Sequence, residues 1–116
     1  MGDSLRRLNA SIRDARHGDP DISRTARLLG EGVKKMSKKL AEEAIEVGFD
    51  AIHGDRRGVI LESADLLYNL SVLWVACGIE PADVMAEIDR RHQLYGIAEK
   101  LPKAGKRTPR KLRAAG

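Results

Sequence analysis

The sequence predicts an all-α protein, a bundle of four to five helices whose core is completed by a second copy of the chain. Apolar residues recur at helical spacing in successive segments, and short stretches with glycine or proline separate these segments. No segment alternates apolar and polar residues as a half-buried strand does. Aromatic residues make up only 3% of the 116 residues, so the core has to be small and aliphatic. Because a helical chain of this size often buries its remaining apolar surface against a partner, we expect a homodimer.

The first predicted helix runs from about residue 4 to residue 16. Leu5, Leu8 and Ile12 recur at the three- to four-residue spacing of an amphipathic helix. The segment His-Gly-Asp-Pro at 17–20 then ends the helix, because glycine and proline interrupt the helical pattern.

A short second helix is predicted through residues 26–29, weakening from Gly30 onward. Either Asp21 or Ser23 can cap its first turn. Two interpretations are open for Ser23 and Thr25. They serve the helix end itself, or they bind phosphate there, because free backbone N–H groups at a helix N-terminus favour anions.

Three longer helices are predicted over residues 33–52, 56–76 and 81–94. Gly54 suits the left-handed position after the first of them, and Pro81 suits the first position of the last. The apolar stripe expected on the helix over 33–52 consists of Val33, Met36, Leu40, Ala44, Val47 and Ala51. Because the turn at Gly54 is short, the helices on either side of it should be antiparallel neighbours.

The helix over 56–76 carries two carboxylates among apolar side chains. Its segment 59–76 reads VILESADLLYNLSVLWVA, apolar nearly all round, so we expect it to be buried nearly all round. Glu62 and Asp65 are three residues apart and share a face, which Asn69 continues one turn later. Burying an ionised carboxylate without a partner is costly, and two adjacent carboxylates also repel each other. A cation is therefore expected to face them.

The preceding helix supplies further carboxylates at the matching height. Glu43 and Glu46 are three residues apart, and Glu42 and Glu46 are four apart, so they share a face. An antiparallel turn brings this face toward Glu62 and Asp65. Converging carboxylates require divalent cations to stay ionised together, and oxygen-only ligands favour Mg²⁺ or Mn²⁺.

A purely structural interpretation of these acids is also open. Lys38 and Lys39 each precede a glutamate by four residues, the spacing of an exposed ion pair, and Glu46 can simply face water. Lys39 has two interpretations, an ion pair with Glu43 or a contact with a phosphate oxygen. We favour the metal site because the acids of the following helix lie in an apolar segment.

Charge is divided unevenly along the chain. Residues 100–116 hold seven of the 21 basic residues and no acid, which leaves residues 1–99 with 14 basic against 17 acidic residues, a net of −3. We predict a folded domain over 1–99 and a basic, flexible tail over 100–116. No aromatic residue interleaves with the cations of the tail for base stacking. Nucleic acid is therefore less favoured as a partner than a solubilising role or the attraction of an anionic substrate.

Several classes of protein are excluded by what the sequence lacks. Cys77 is the only cysteine, so no internal disulfide forms, and no Cys/His pattern indicates zinc. The N-terminus is polar, and no uninterrupted apolar run reaches the roughly 18 residues that a membrane span needs. We expect a cytoplasmic protein without a membrane partner.

The paired motifs identify a family. EExxE at 42–46 and ExxD at 62–65 resemble the metal-binding motifs of the all-α nucleoside triphosphate pyrophosphohydrolase superfamily, which includes MazG-type and dUTPase-type enzymes. Within it, the chain resembles the phosphoribosyl-ATP pyrophosphatase family of histidine biosynthesis. The matching segments are SRTARLLGEG (23–32), KKLAEEAIEV (38–47), GDRRGVILESADLLYNLSVLW (54–74) and AEIDRRHQLYGIAEK (86–100).

The resemblance implies a homodimer that hydrolyses phosphoribosyl-ATP to phosphoribosyl-AMP and pyrophosphate, with the pairing of dimers left open. It implies that Mg²⁺ is held by Glu43, Glu46, Glu62 and Asp65, with Glu42 in or beside the ligand shell. A carboxylate that the metal does not fully engage, Glu42 or Glu46, is then the candidate general base. Lys39 completes the expected catalytic set by reaching a phosphate oxygen.

Two positions depart from the family pattern. Arg24 stands where the family usually has tyrosine, and Asn69 stands where it usually has histidine. Asparagine keeps the ability to hydrogen-bond but does not titrate near neutrality. We expect Asn69, with Ser23, Thr25 and Lys39, to contact the substrate. Two alternatives stay open, a MazG-like house-cleaning hydrolase of other nucleotides and a non-enzymatic helical dimer that binds nucleic acid through its tail.

Overall fold

The computed structural model describes residues 2–95, with side-chain surroundings for residues 3–94. Five helices occupy this part of the chain: α1 (Gly2–Ala15), α2 (Arg24–Gly30), α3 (Val33–Ile52), α4 (Arg56–Cys77) and α5 (Pro81–Tyr95). The described residues contain no strand, so the predicted all-α class is confirmed. The predicted tail over 100–116 and its boundary at residue 99 lie outside the described residues.

The described chain divides into two units, the first ending at Pro81 and the second beginning at Ala82. The first contains α1 to α4, and within it α3 packs most extensively along α4, while α1 and α2 also pack against α4. The second contains α5, where Glu87 forms ion pairs with Arg90 and Arg91 on its own helix.

The core of the first unit is aliphatic, as the sequence predicts. Its buried cluster takes one or two side chains from each of the four helices, namely Ile12, Leu28, Met36, Val72 and Val75. Leu8, Leu29, Tyr68, Leu73 and Ala76 pack around this cluster. The C-terminal half of α4 is therefore the central element against which the other three helices bury their apolar faces.

The prediction that α4 is buried nearly all round is wrong for its N-terminal half. Ile60 and Leu61 are 46% and 50% exposed, whereas the buried residues of α4 begin at Asn69. The apolar stripe predicted on α3 is likewise mostly uncovered, since Met36 is its only buried member within the described part of the chain. The physical reason is length: α1 and α2 are short and cover only one end of the hairpin that α3 and α4 form.

The turn between α3 and α4 sets the pairing of the two helices. Gly54 adopts a φ of +71°, a left-handed conformation that favours glycine, and its amide donates to the carbonyl of Ala51. The side chain of Asp55 then caps α4 by accepting a hydrogen bond from the amide of Gly58 at 2.9 Å. Only three residues separate the helices, so they run antiparallel as expected.

By length and composition alone, α4 is long and apolar enough to cross a membrane. The central helix of a water-soluble protein passes the same test. Because α4 packs against α1, α2 and α3, length and composition are weak grounds for a membrane span here.

The core assignment can be tested with a cavity-forming variant. We expect Met36→Ala to lower the free energy of unfolding by about 2–5 kcal/mol, because it empties a site that is 2% exposed. Ile22→Ala, at a site that is 85% exposed, should change it by less than about 0.5 kcal/mol. Denaturant titration of both variants at one protein concentration measures the difference. Equal effects of the two substitutions would contradict the assignment.

Candidate metal centre

Three carboxylates from two helices converge in the α3–α4 hairpin. Glu62 and Asp65 lie three residues apart on α4 and so share a face, and Glu43 reaches the same place from α3. One carboxylate oxygen from each lies within 4.8 Å of the others. The expected convergence of α3 and α4 acids is therefore present for these three residues. We refer to them as the carboxylate cluster.

Glu46 joins this cluster through Glu62. The hydrogen bond between the Glu46 and Glu62 side chains raises the pKa of Glu62 from its ordinary value of 4.5 to about 7. Partial burial, a hydrogen bond with Asp65 and the charges of Glu46 and Glu43 act in the same direction. A carboxyl can donate a hydrogen bond to a carboxylate only when it is protonated. The metal-free cluster therefore relieves its repulsion by holding a proton near neutrality.

No lysine or arginine among residues 3–94 forms an ion pair with the cluster. The predicted alternative for Lys39, an ion pair with Glu43, is not formed, and neither is the corresponding pair of Lys38 with Glu42. Glu87 on α5 shows the contrast, because hydrogen bonds from Arg90 and Arg91 lower its pKa to about 2. The acids of the hairpin lack such neutralising partners.

The donor set fits a hard divalent cation. It consists of carboxylate oxygens only, close enough to share one ion, and no cationic side chain from residues 3–94 pairs with it. Oxygen donors of this kind suit Mg²⁺ and Mn²⁺ better than zinc, which takes nitrogen and sulfur ligands. Glu42 and Glu46 are both exposed and lie outside the group of three. Glu42, unlike Glu46, does not raise the pKa of Glu62, so it is the weakest of the five predicted acids as a ligand.

The predicted substrate residues at the start of α2 already have partners. The hydroxyl of Ser23 accepts a hydrogen bond from the amide of Ala26 at 3.1 Å, which makes Ser23 the helix cap. The hydroxyl of Thr25 lies 2.6 Å from that of Tyr68 on α4. Of the two interpretations, the structural one describes Ser23 and Thr25 in this structure, and their contact with substrate stays a prediction.

Asn69 does not line the cluster. It is 2% exposed, and its amide nitrogen donates to the backbone carbonyl of Asp65 at 2.8 Å. A side chain this deeply buried does not reach a bound substrate in this conformation. In this structure Asn69 is part of the buried interior of the first unit, and its contact with substrate stays a prediction.

Sequence reasoning missed two arginines that line a cavity together with Lys39. A cavity of about 170 Å³ is lined by Arg24, Arg27, Leu28, Glu31 and Lys39. Lys39 was expected to face a phosphate, but Arg24 entered the prediction only as a departure from the family pattern. Their spacing in the sequence could have indicated this pair, because Arg24 and Arg27 are three residues apart and therefore share a face of α2.

The chain is similar to one family over most of its length. Residues 5–92 match the family model described as phosphoribosyl-ATP pyrophosphohydrolase. The chain is 62% identical over 104 residues to phosphoribosyl-ATP pyrophosphatase 2 of Rhodopseudomonas palustris, covering 90% of this chain and 79% of that protein. It is 56% identical over 110 residues to phosphoribosyl-ATP pyrophosphatase 2 of Bradyrhizobium diazoefficiens, covering 95% of this chain and 82% of that protein. The chain is 44% identical over 96 residues to phosphoribosyl-ATP pyrophosphatase of Azospirillum brasilense, covering 83% of this chain and 86% of that protein.

The raised pKa of Glu62 predicts how the stability of the metal-free protein depends on pH. Between pH 4.5 and about 7, the folded protein holds a proton on Glu62 that the unfolded chain has lost. The contribution of Glu62 to stability is therefore complete below pH 4.5, the pKa in the unfolded chain. It is lost as the pH rises through about 7, the pKa in the folded protein. Measured with a chelator from about pH 5 to about pH 8, the melting temperature of the wild type should fall relative to that of Glu62→Gln. Parallel profiles of the two proteins would contradict the coupling.

Proposed function

The chain belongs to the phosphoribosyl-ATP pyrophosphohydrolase family, and from this membership we propose that it hydrolyses phosphoribosyl-ATP to phosphoribosyl-AMP and pyrophosphate, the second step of histidine biosynthesis. The observation that carries the proposal is the convergence of Glu43, Glu62 and Asp65 without a neutralising cation, inside the segment that matches the family. The relatives indicate a soluble enzyme, and we propose the cytoplasm as its location.

The carboxylate cluster would hold Mg²⁺ or Mn²⁺. When bound, such an ion neutralises phosphate charge and lowers the pKa of a coordinated water. Glu62 contributes as a ligand only after it loses its proton, so binding of the cation and ionisation of Glu62 favour each other. This coupling supports the cluster as a ligand set, because the same repulsion that holds the proton would hold a cation instead.

Glu46 is the better candidate for the general base. Glu46 acts on the pKa of Glu62, which indicates that it lies beside the cluster, whereas Glu42 is not among the groups that raise this pKa. In the proposed step, the oxygen of a water bonds to phosphorus as its proton passes to Glu46. The phosphoanhydride bond to the departing pyrophosphate breaks, and its electron pair leaves with that group. Lys39, one turn before Glu43, would donate to a phosphate oxygen.

Substitution of the acids tests the enzymatic proposal. With Mg²⁺ and phosphoribosyl-ATP, the purified wild type should release pyrophosphate, and chelation should stop it. Glu62→Gln and Glu46→Gln should each lower kcat by at least about 100-fold, because a ligand or the general base is lost. Asp14→Asn, which removes an exposed acid from α1, is the matched control and should keep wild-type activity.

Two results would contradict the proposal. One is a folded, Mg²⁺-binding wild type that does not turn over phosphoribosyl-ATP. The other is equal activity of Asp14→Asn and Glu62→Gln. A panel that also contains ATP and other nucleoside triphosphates separates the proposed reaction from a broader house-cleaning activity.

We also propose that a second copy of the chain covers the open side of the hairpin. Ile45, Phe49 and Ile52 form an exposed apolar stripe on α3, and Ile60 and Leu61 are exposed at the start of α4. Exposed apolar side chains grouped in this way mark an interaction surface more often than a free one. A homodimer would complete the burial that α1 and α2 provide for only one end of the hairpin.

A charge placed on this stripe should dissociate the dimer. Phe49 is 58% exposed in the single chain, so Phe49→Glu should leave the fold intact and weaken association by about 2 kcal/mol or more. Ile22→Glu places the same charge at a site that is 85% exposed outside the hairpin and serves as the control. Analytical ultracentrifugation should find a dimer for the wild type and the control. A monomeric wild type at micromolar concentration would contradict the proposal.

A further inference from the structure

A small basic cavity lies between α2 and α3. Arg24, Arg27 and Lys39 line it, with Leu28 at its apolar wall and Glu31 at its edge, and its volume is about 170 Å³. This volume far exceeds the roughly 10–15 Å³ that one water molecule needs. Three positive charges and one negative charge thus surround a space large enough for a polyatomic anion.

The cations of this cavity are not neutralised by the protein. No ion pair joins Arg24, Arg27 or Lys39 to a carboxylate within residues 3–94, although Glu31 lines the same cavity. Like charges that line one cavity repel one another, even where the arginines are exposed to water. An anion with several oxygens would relieve this repulsion and accept hydrogen bonds from all three side chains.

Contacts outside the cavity hold the two arginines in place. The guanidinium of Arg24 lies over the ring of Tyr68, 5.3 Å from its centroid, and the hydroxyl of Tyr68 lies 2.6 Å from that of Thr25. The Nε of Arg27 donates to the carbonyl of Pro20 at 3.1 Å. Because an arginine held in this way loses less freedom on binding, the arrangement suits recognition of a phosphate rather than a loose surface charge.

The cavity and the carboxylate cluster share helix α3, through Lys39 and Glu43. Lys39 precedes Glu43 by one turn of α3, and Tyr68 follows Asp65 by three residues on α4. Lys39, which lines the cavity, therefore lies about one helical turn, roughly 6 Å along the axis of α3, from Glu43 of the cluster.

We propose that this cavity is a phosphate subsite in which Arg24 and Arg27, together with Lys39, bind a phosphate group of the substrate away from the bond that breaks. The identity of the substrate rests on the proposed function, whereas the binding of phosphate rests on the cavity alone. Phosphoribosyl-ATP offers two sources of this chemistry, the terminal phosphates of its triphosphate and the phosphate of its phosphoribosyl group. Arg24 is then a specificity-determining residue that the family pattern does not supply.

Two simple probes test the subsite and distinguish the sources. The full chain, kept free of divalent cations by a chelator, is titrated calorimetrically with inorganic pyrophosphate and with ribose 5-phosphate. The chelator matters because a metal ion would itself bind either probe. Arg24→Gln and Arg27→Gln should weaken binding of at least one probe by about tenfold or more, because a charged hydrogen bond is lost.

Arg7→Gln is the matched control, since it removes one exposed guanidinium from α1 and should leave both affinities unchanged. Any binding of the probes to the basic residues 100–116 is common to all the variants and cancels in the comparison. Because Arg24 also contacts Tyr68, its melting temperature is recorded, and Arg24→Lys should restore part of the affinity. Arg27 lacks this ring contact and tests the cavity independently.

Weaker binding of pyrophosphate alone assigns the cavity to the triphosphate end, and weaker binding of ribose 5-phosphate alone assigns it to the phosphoribosyl end. Weaker binding of both supports a subsite that accepts either phosphate. Unchanged affinities in folded cavity variants, or no binding of either probe by the wild type, overturn the inference. A wild type that binds a probe but does not hydrolyse phosphoribosyl-ATP would refute the proposed function and leave the subsite standing.

Discussion

Like charges meet between α3 and α4, and no lysine or arginine within residues 3–94 forms an ion pair with them. This repulsion is the constraint on which the candidate site depends. Carboxylate oxygens of Glu43, Glu62 and Asp65 lie within 4.8 Å of one another. The pKa of Glu62 is raised to about 7, so Glu62 keeps a proton up to near neutral pH. A divalent cation, if bound there as proposed, would relieve the same repulsion as the proton and would compete with it. A site built in this way is poorly satisfied when empty, which is the condition under which a cation binds with a large gain.

The long helix α4 serves two purposes along its length. Its C-terminal half, with Val72 and Val75, is the buried centre to which α1, α2 and α3 contribute side chains. Its N-terminal half carries the acids and stays open on the side of Ile60 and Leu61. The buried core thus lies at one end of the hairpin and the carboxylate cluster at the other, so the repulsion among the acids is offset by packing that lies outside the cluster.

The sequence was sufficient for the helices and for the acids, and insufficient for contacts that depend on how helices pack. Spacing alone predicted the ends of α3 and the pairing of Glu62 with Asp65, since both are properties of a single helix. The burial of Asn69 could not be predicted, because it depends on which turn of α4 is covered by α1 and α2. The cavity at Arg24 and Arg27 was missed for the same reason, since it exists only where α2 faces α3.

The three-residue connection at Gly54 fixes more than the direction of the chain. Since each residue of an α-helix advances the side chains by about 100° around the axis, the length of this connection determines which face of α4 meets α3. Adding or removing one residue would rotate Glu62 and Asp65 out of reach of Glu43 while leaving every amino acid of the site in the sequence. The length of the connection therefore sets the rotation of α4 about its axis relative to α3. Insertions there should be tolerated far less than its exposed position implies.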